Sequence, residues 1–551
     1  VGGHAPPRAV EEIKEELNNV PQAWAGGAPH TATEHATPTA AVHLAASAYS
    51  FWQFYLITGR YAEGATAFRQ AVEGVQAACQ ALEAAVASRA RSERIGPEAA
   101  GDNEAVLLQW QTLSSVLLAF EADLLANHGS YSRAQTIGER AVALGVAYGS
   151  PEGEMLGLTV LAQTNYYQGQ MGEAKRRAEQ VSQRARQFSW SGEPPECMYD
   201  ALATAYLYLS AIARNADEYA QAGTHLSQVL ALCQPLGRAR GIMQARLNLA
   251  NLARYKQNYA AARKDYEQVR QIAAELGYRR GEAITLYELA DVVRGQGEYS
   301  LALEQTALAL TVAREIGEPF LENYAQSDLG RLYTYLGDYA RANELVQQAL
   351  THHEHVALPD ARHDAWLAAA LYYHHIGDDK KALHYATRSH QHAQAHNNRR
   401  YTAIASIHMG YAWEGLRGWD AACQAYQTAL QLYQALDIQP TLLEAQAGLA
   451  RTQLAQGDQT AAIGWIDDIL SALATHLSVG MDEPFLIYLT CYQVLAANHD
   501  TRATTLLQRG YDLLQQYADR IQDDALRRSF LENVPVHRAL QEAHAQRSAP
   551  A

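Results

Sequence analysis

The 551-residue chain is 48% hydrophobic and 19% charged with a formal net charge of −15, the composition of a folded soluble protein. That sign, with no sizeable Lys/Arg cluster, argues against a dedicated nucleic-acid surface, since phosphate contacts need grouped cations. No apolar run reaches the ~18 residues that cross a bilayer and no secretory leader is visible, so no membrane partner is expected.

In chain order, residues 10–25 carry apolar positions at helical spacing until Pro21 and predict a short amphipathic helix; a Gly, Pro, Thr and His-rich linker follows at Gly26 to Thr39. Residues 40–130 read as enlarged first hairpins, with helical patterns at 62–90 and 104–127 around the break at Arg94 to Gly101. From Tyr131 to about residue 500 the pattern becomes regular. An aromatic or its substitute recurs every forty residues at Tyr219, Tyr259, Tyr299, Tyr339, Asp379, Trp419 and Gln459. An alanine stands three positions after each, at Ala222, Ala262, Ala302, Ala342, Ala382, Ala422 and Ala462. Glycine often precedes the aromatic by two, as in Gly297-Glu298-Tyr299, where a positive φ would end one helix before the next begins. Weaker copies occur at Tyr61, Tyr131, Met171 and Asp500, an excess of eight residues between Met171 and Tyr219 includes Ser191 to Pro195, and 501–551 reads as C-terminal capping helices and tail.

A fixed period of this length is the mark of stacked hairpins, each burying its apolar stripe against the next. The expected fold is therefore all-α, a right-handed superhelical solenoid of about eleven helical hairpins.

The stretch Arg246 to Ala262, with its L-x-x-L-A first helix, turn and Tyr-x-x-Ala opening, followed by Tyr266 and Val269 packing back, resembles a tetratricopeptide (TPR) repeat. The period of forty against the usual 34 suggests second helices longer by one to two turns. Glu11 to Ala25 followed by Phe51 to Tyr61, and Ala525 to Pro535 with His537 and Arg538, resemble the flanks of the TPR array in STAND signalling ATPases similar to MalT and AfsR. The resemblance implies a sensor half that binds an inducer or partner, with an ATPase or effector domain elsewhere in the full-length chain. No G-x-x-x-x-G-K-[ST] phosphate loop occurs in these residues.

In TPR hairpins the first helix lines the concave groove, and the forty-residue register puts Arg214, Arg254 and Arg294 at one repeat position there. Asn251, Asp291 and Arg331 form a neighbouring row, interleaved with Tyr255, Tyr287, Tyr324 and Tyr335, and Gln163, Tyr166 and Tyr167 extend a polar-aromatic floor toward the N-terminus. Guanidinium groups suit carboxylate or phosphate, and tyrosines offer flat apolar area with a polar tip, so a small molecule or peptide in the groove is one expectation. Pairing of Arg254 and Arg294 with Asp291 and other acids between repeats is the competing one. The row continues as Thr334, His374, Glu414 and Leu454, losing its positive character.

Eleven of the 21 histidines fall between His352 and His408, including the i,i+4 pair His392 and His396, but no third or fourth metal ligand is specified. The five cysteines are far apart without a C-x-x-C pair, which indicates neither a disulfide framework nor a thiolate zinc site and fits a reducing, cytoplasmic setting. No G-x-S-x-G or H-E-x-x-H motif is present. The expectation is a non-enzymatic protein without cofactor or metal: a ligand-binding sensor region, or else a free-standing protein-interaction scaffold that docks a protein partner, with a metal-dependent enzyme as the third reading.

Overall fold

A computed structural model describes residues 38–91, 97–187, 195–216, 218–256, 258–352, 359–436, 438–475 and 481–548. The helix expected at 10–25, nearly all of the linker after it, part of the break at 94–101 and the segment 191–194 lie outside the described residues. Among the described residues there are 24 helices and no strand. Contacts divide the chain into two compact units, residues 1–248 with 271–278, and residues 249–270 with 279–551.

The first unit opens with α1 (Pro38–Thr58), α2 (Tyr61–Arg91) and α3 (Pro97–Asn127), the last two of 31 residues each. Trp52 of α1 stacks on Phe120 of α3 at 4.7 Å, Phe68 of α2 meets the same ring edge-on at 5.6 Å, and all three are buried. Within α3, Glu104–Asn127 is long and apolar enough to cross a membrane by length and composition, although no such run was expected. More than half of it is buried against protein, and it carries Glu121 and Asp123, the latter accepting from Trp52 Nε1 at 2.8 Å. The unit continues through α4 (Tyr131–Tyr148), α5 (Pro151–Tyr167), α6 (Met171–Gln187), α7 (Glu196–Asn215) and α8 (Tyr219–Cys233).

The division passes through α9 (Ala239–Tyr255) and α10 (Tyr259–Glu275). The second unit then alternates first helices, α11 (Arg279–Gly295), α13 (Pro319–Tyr335), α15 (Pro359–His375), α17 (Arg399–Gly415) and α19 (Gln439–Ala455), with second helices, α12 (Tyr299–Glu315), α14 (Tyr339–His352), α16 (Asp379–Ala395), α18 (Trp419–Leu436) and α20 (Gln459–Thr475). It ends with α21 (Pro484–Ala497), α22 (Arg502–Asp519), α23 (Asp524–Glu532) and α24 (Pro535–Ser548).

The repeat chemistry follows from two left-handed residues per hairpin. Gly297, at φ 77°, ends α11, with the Glu298 amide donating to the Val293 carbonyl at 2.9 Å, the six-to-one bond that closes a helix C-terminus. Gly277 and Gly317 repeat this geometry twenty residues to either side, so the hairpin is cut into equal halves. Both helices α10 and α11 are therefore 17 residues long, which corrects the expectation that the second helix alone absorbs the extra length. The seven repeat alanines are all at most 1% exposed, and Tyr266 and Tyr426, seven residues after the aromatic position, are fully buried. Small side chains at the crossing and one large ring beside it let each helix approach its neighbour closely without a void.

The last helices of the second unit do more than close its final repeat. Tyr517 of α22 and Phe530 of α23 pack on Tyr299 at 6.1 and 5.7 Å, Arg520 donates to the Gln296 carbonyl at 2.9 Å, and Asn533 Nδ2 donates to the Gly337 carbonyl at 3.1 Å.

Candidate functional site

The first helices of the second unit bring a polar row together in its interior. Asp291 accepts from Arg254 and from Arg294, each at 2.7 Å, while Arg254 also meets Glu288 at 3.1 Å and Arg294 meets Asp482 at 2.8 Å. Arg331 pairs with Asp328 one turn before it. Arg254 and Arg294 side chains are only 12% and 14% exposed, so these are interior pairs and not surface ones. Burial alone would raise the pKa of Asp291, but Arg294, Arg254 and Arg331 together outweigh it and hold this carboxyl well below the usual carboxylate range. Glu288 and Asp328 shift the other way, because burial, helped by the Asp291 charge, outweighs the arginines acting on each, Arg254 and Arg400 on Glu288 and Arg331 and Arg294 on Asp328.

Aromatic rings line the same row. Tyr255 lies between Arg254 at 4.9 Å and Arg400 of α17 at 4.6 Å, Tyr335 faces Arg294 at 5.5 Å, and Tyr287 packs on Tyr324 at 5.3 Å. Asn251 accepts the hydroxyl hydrogen of Tyr266, and so ties α9 to the buried ring behind it. Of the ten residues singled out by register, nine gather in this unit. Arg214 belongs to the first unit, where its guanidinium donates to Tyr166 Oη and Asn215 Oδ1, both at 3.4 Å. Tyr166 and Tyr167 there pack with Tyr208 at 5.6 and 6.5 Å. Further along the row, Thr334 bonds the Gly330 carbonyl, His374 bonds Asp379, and Glu414 accepts from Arg451 at 2.9 Å.

The partners that the register did not supply are Glu288, Arg400, Arg451, Glu444, Asp482 and Glu483. Arg400 reaches Tyr255 across 145 residues and Asp482 reaches Arg294 across 188, so these meetings depend on how sharply the stacked hairpins turn. Beyond Tyr335 the interior leaves a water-sized cavity of ≈10 Å³, bounded among others by His408, Tyr411, Tyr433, Glu444 and Asp482. A second water-sized hollow of ≈10 Å³ lies against Asp291 and Arg294.

Several of the described histidines are engaged with neighbouring side chains and backbone. His363 bonds Ser389 and His392 at 3.0 and 3.1 Å and stacks on Tyr401 at 4.5 Å, and His396 Nδ1 meets the His392 carbonyl at 2.8 Å. Among the described residues no group of three His, Cys, Asp or Glu is placed to hold a metal ion.

No curated protein sequence matches this chain. Similar solved structures include a Rap protein complexed with Competence and Sporulation Factor, 14% identical over 62% of this chain and 99% of the other, with a TM-score of 0.40. NprR in complex with its cognate peptide NprX is 15% identical over 63% of this chain and 99% of that one, at 0.42. A STAND protein with a tetratricopeptide repeat sensor from Pyrococcus horikoshii is 15% identical over 66% of this chain and 52% of its own length, at 0.40. At these scores the likenesses remain descriptive. The tetratricopeptide repeat family matches residues 241–315 and 281–355, the same stretch in which α9 to α14 alternate with twenty-residue spacing. Residues 241–355 are thus tetratricopeptide repeats.

Proposed function

We propose that this chain is the ligand- or partner-binding sensor region of a STAND-type bacterial signalling or transcription regulator, acting in the cytoplasm and taking a small molecule or peptide on the interior row of its second unit. The observation that carries the reading is Asp482 on Arg294. A carboxylate from outside the hairpin helices, with a side chain 36% exposed, sits on an arginine fork that the repeat register places in the row. Buried ion pairs stabilise a fold little more than apolar residues of the same volume would. A row of them inside a repeat array therefore favours recognition, in which an incoming carboxylate exchanges with Asp482 and gains the same charge-assisted contact to Arg294. The reading assigns no catalysis to the chain, and a free-standing scaffold that docks a protein segment on the same row is the other outcome of the test.

The test is a thermal-shift screen of short peptides and small carboxylates. A ligand of the row raises Tm as its concentration exceeds Kd. The rise should vanish in Arg294→Gln and persist in Arg314→Gln, whose side chain is 54% exposed and paired with Glu322. Ligands whose effect ignores Arg294 would remove the row from the function.

A further inference from the structure

We propose that the C-terminal helices of the second unit form an autoinhibitory clasp: α22 and α23 grip the turns after α11 and α13, and so keep Met481, Asp482 and Glu483 seated on the interior row, where an acidic ligand must displace them. The clasp deepens the reading of the row as a binding surface and rests on it.

In a stacked array each hairpin touches only its neighbours. The second unit departs from that rule at its end. Tyr517 and Phe530 pack on Tyr299, Arg520 donates to the Gln296 carbonyl at 2.9 Å, the Gln522 amide donates to Ser300 Oγ at 3.1 Å, and Asn533 Nδ2 donates to the Gly337 carbonyl at 3.1 Å. These three hydrogen bonds join positions 196 to 224 residues apart in the chain. The gripped turns are shaped for the contact. The Tyr517 ring covers Gly297 so closely that no Cβ would fit, and a Cβ on Gly337 would lie 2.6 Å from the Ser529 carbonyl oxygen. Gly377 and Gly457 hold the same left-handed turn position in later hairpins with open space around them.

The chain that carries the clasp also closes the row. Asp482 meets Arg294 at 2.8 Å and Glu483 meets His375 at 3.0 Å, while Met481 and Glu483 are buried and the amides of Asp482 and Glu483 donate to Glu444. The hollows beside Arg294 and Tyr335 have room for about one water each, so an incoming carboxylate finds no space while this stretch is in place.

Phe485 couples the two. It stands three residues after Asp482, is 1% exposed, and packs edge-on against Tyr517 at 5.3 Å and Phe530 at 6.0 Å, the same rings that cover Tyr299. Lifting α22 and α23 from the turns removes the cover of Phe485 and frees the acids just before it, which uncovers Arg294 for a charge-assisted contact with a ligand carboxylate. By linkage, a ligand that takes Arg294 loosens the clasp by the same factor.

The experiment is hydrogen–deuterium exchange read by mass spectrometry on the full chain, comparing wild type with Arg520→Gln/Asn533→Ala, two exposed positions outside the row. Arg520→Gln alone serves if the double variant fails to fold. Fragments over 520–523 report the clasp through the Gln522 amide, and fragments over 481–483 report the row through the amides bonded to Glu444. Exchange should rise about tenfold or more in both windows, with α4 of the first unit unchanged. The ligand probe is acetyl-Met-Asp-Glu-Pro-Phe-amide, which copies residues 481–485, titrated by calorimetry. It should bind the released variant about tenfold tighter or more than wild type, and adding Arg294→Gln should abolish that binding. Faster exchange confined to 520–533, with 481–483 unchanged, overturns the proposal. Arg294-dependent binding of equal strength in both chains overturns the clasp and spares the row. Faster exchange in both windows without any binding that needs Arg294 refutes the row as a ligand site and leaves the hold of the clasp on residues 481–483 standing.

Discussion

Replacing Asp291 by Asn tests whether the interior ion pairs hold the second unit together. Asp291 accepts two charge-assisted hydrogen bonds at 2.7 Å in a setting where its side chain is 19% exposed. Each such bond contributes ~1.5–3 kcal/mol, and orphaning a buried charge costs ~3–5 kcal/mol. Neither arginine is orphaned, because Arg254 keeps Glu288 at 3.1 Å and Arg294 keeps Asp482 at 2.8 Å, and the Asn side-chain oxygen still accepts one bond. The net cost should therefore be about 2–3 kcal/mol at pH 7, below the orphaned value. Because the carboxyl is held below its unfolded pKa of ~3.9, its contribution is complete above that value and declines as pH falls toward the depressed native one. Urea titration at pH 7 and at pH 3 reads both effects, with the Asn penalty smaller at the lower pH. A companion cycle with Arg254→Gln should give a coupling of ~1–3 kcal/mol. A penalty within ~0.5 kcal/mol, as for a surface substitution, or zero coupling would refute the reasoning.

Gly337 and Gly377 occupy the same turn position at φ 72° and 81°, but a Cβ on Gly337 would meet the Ser529 carbonyl oxygen at 2.6 Å and one on Gly377 meets nothing within 4 Å. Gly377→Ala should cost only the ~1–2 kcal/mol of the left-handed conformation, whereas Gly337→Ala should cost ~1–3 kcal/mol more and speed proteolysis in α23. Burial pushes His363 down to about 3 and His537 down to about 4, so both stay neutral when folded and become charged when unfolded below pH ~6.5. Stability should fall as pH drops from ~6.5 toward 4, and His363→Asn should make that fall shallower in denaturation measured across the range. An unchanged slope would show that acid loss arises elsewhere.

The turns were legible because their cause is local. A glycine two residues before the aromatic position takes the positive φ wherever it occurs, and the alanine three residues after that position is buried in every repeat. The equal split of the hairpin was missed because the second left-handed position is glycine at 277 and 317 but Asn397 in a later repeat, which weakens the twenty-residue signal. Register likewise placed Arg254, Asp291 and Arg294 in one row, since residues forty apart occupy equivalent positions and residues three apart share a helix face. It could not choose between a ligand and Asp291 as the arginines' partner. Nor could it find Arg400 or Asp482, because a partner across the interior depends on the rotation accumulated per hairpin, set by close packing at the alanines and not by the period. Arg214 shows the limit from the other side: its repeat position is the same, but its contacts lie in the first unit.

The acids at the cavity arise from one departure from the repeat. In regular hairpins the first helix begins twenty residues before the aromatic position, as Arg279 precedes Tyr299 and Arg399 precedes Trp419. With Asp500 as the corresponding residue, a helix would start at residue 480, yet α21 begins at Pro484 and is 14 residues long instead of 17. The missing first turn is the segment that supplies Asp482 to Arg294 and Glu483 to His375. Unwinding it frees backbone N–H groups that no helix bond can satisfy at that end, and two of these, from Asp482 and Glu483, donate to Glu444. Glu444 is therefore a helix-start acceptor, which gives it a structural reason to be buried there. The loss of one helical turn thus converts a repeat boundary into a polar wall, and it does so where the tyrosines of three other helices already meet.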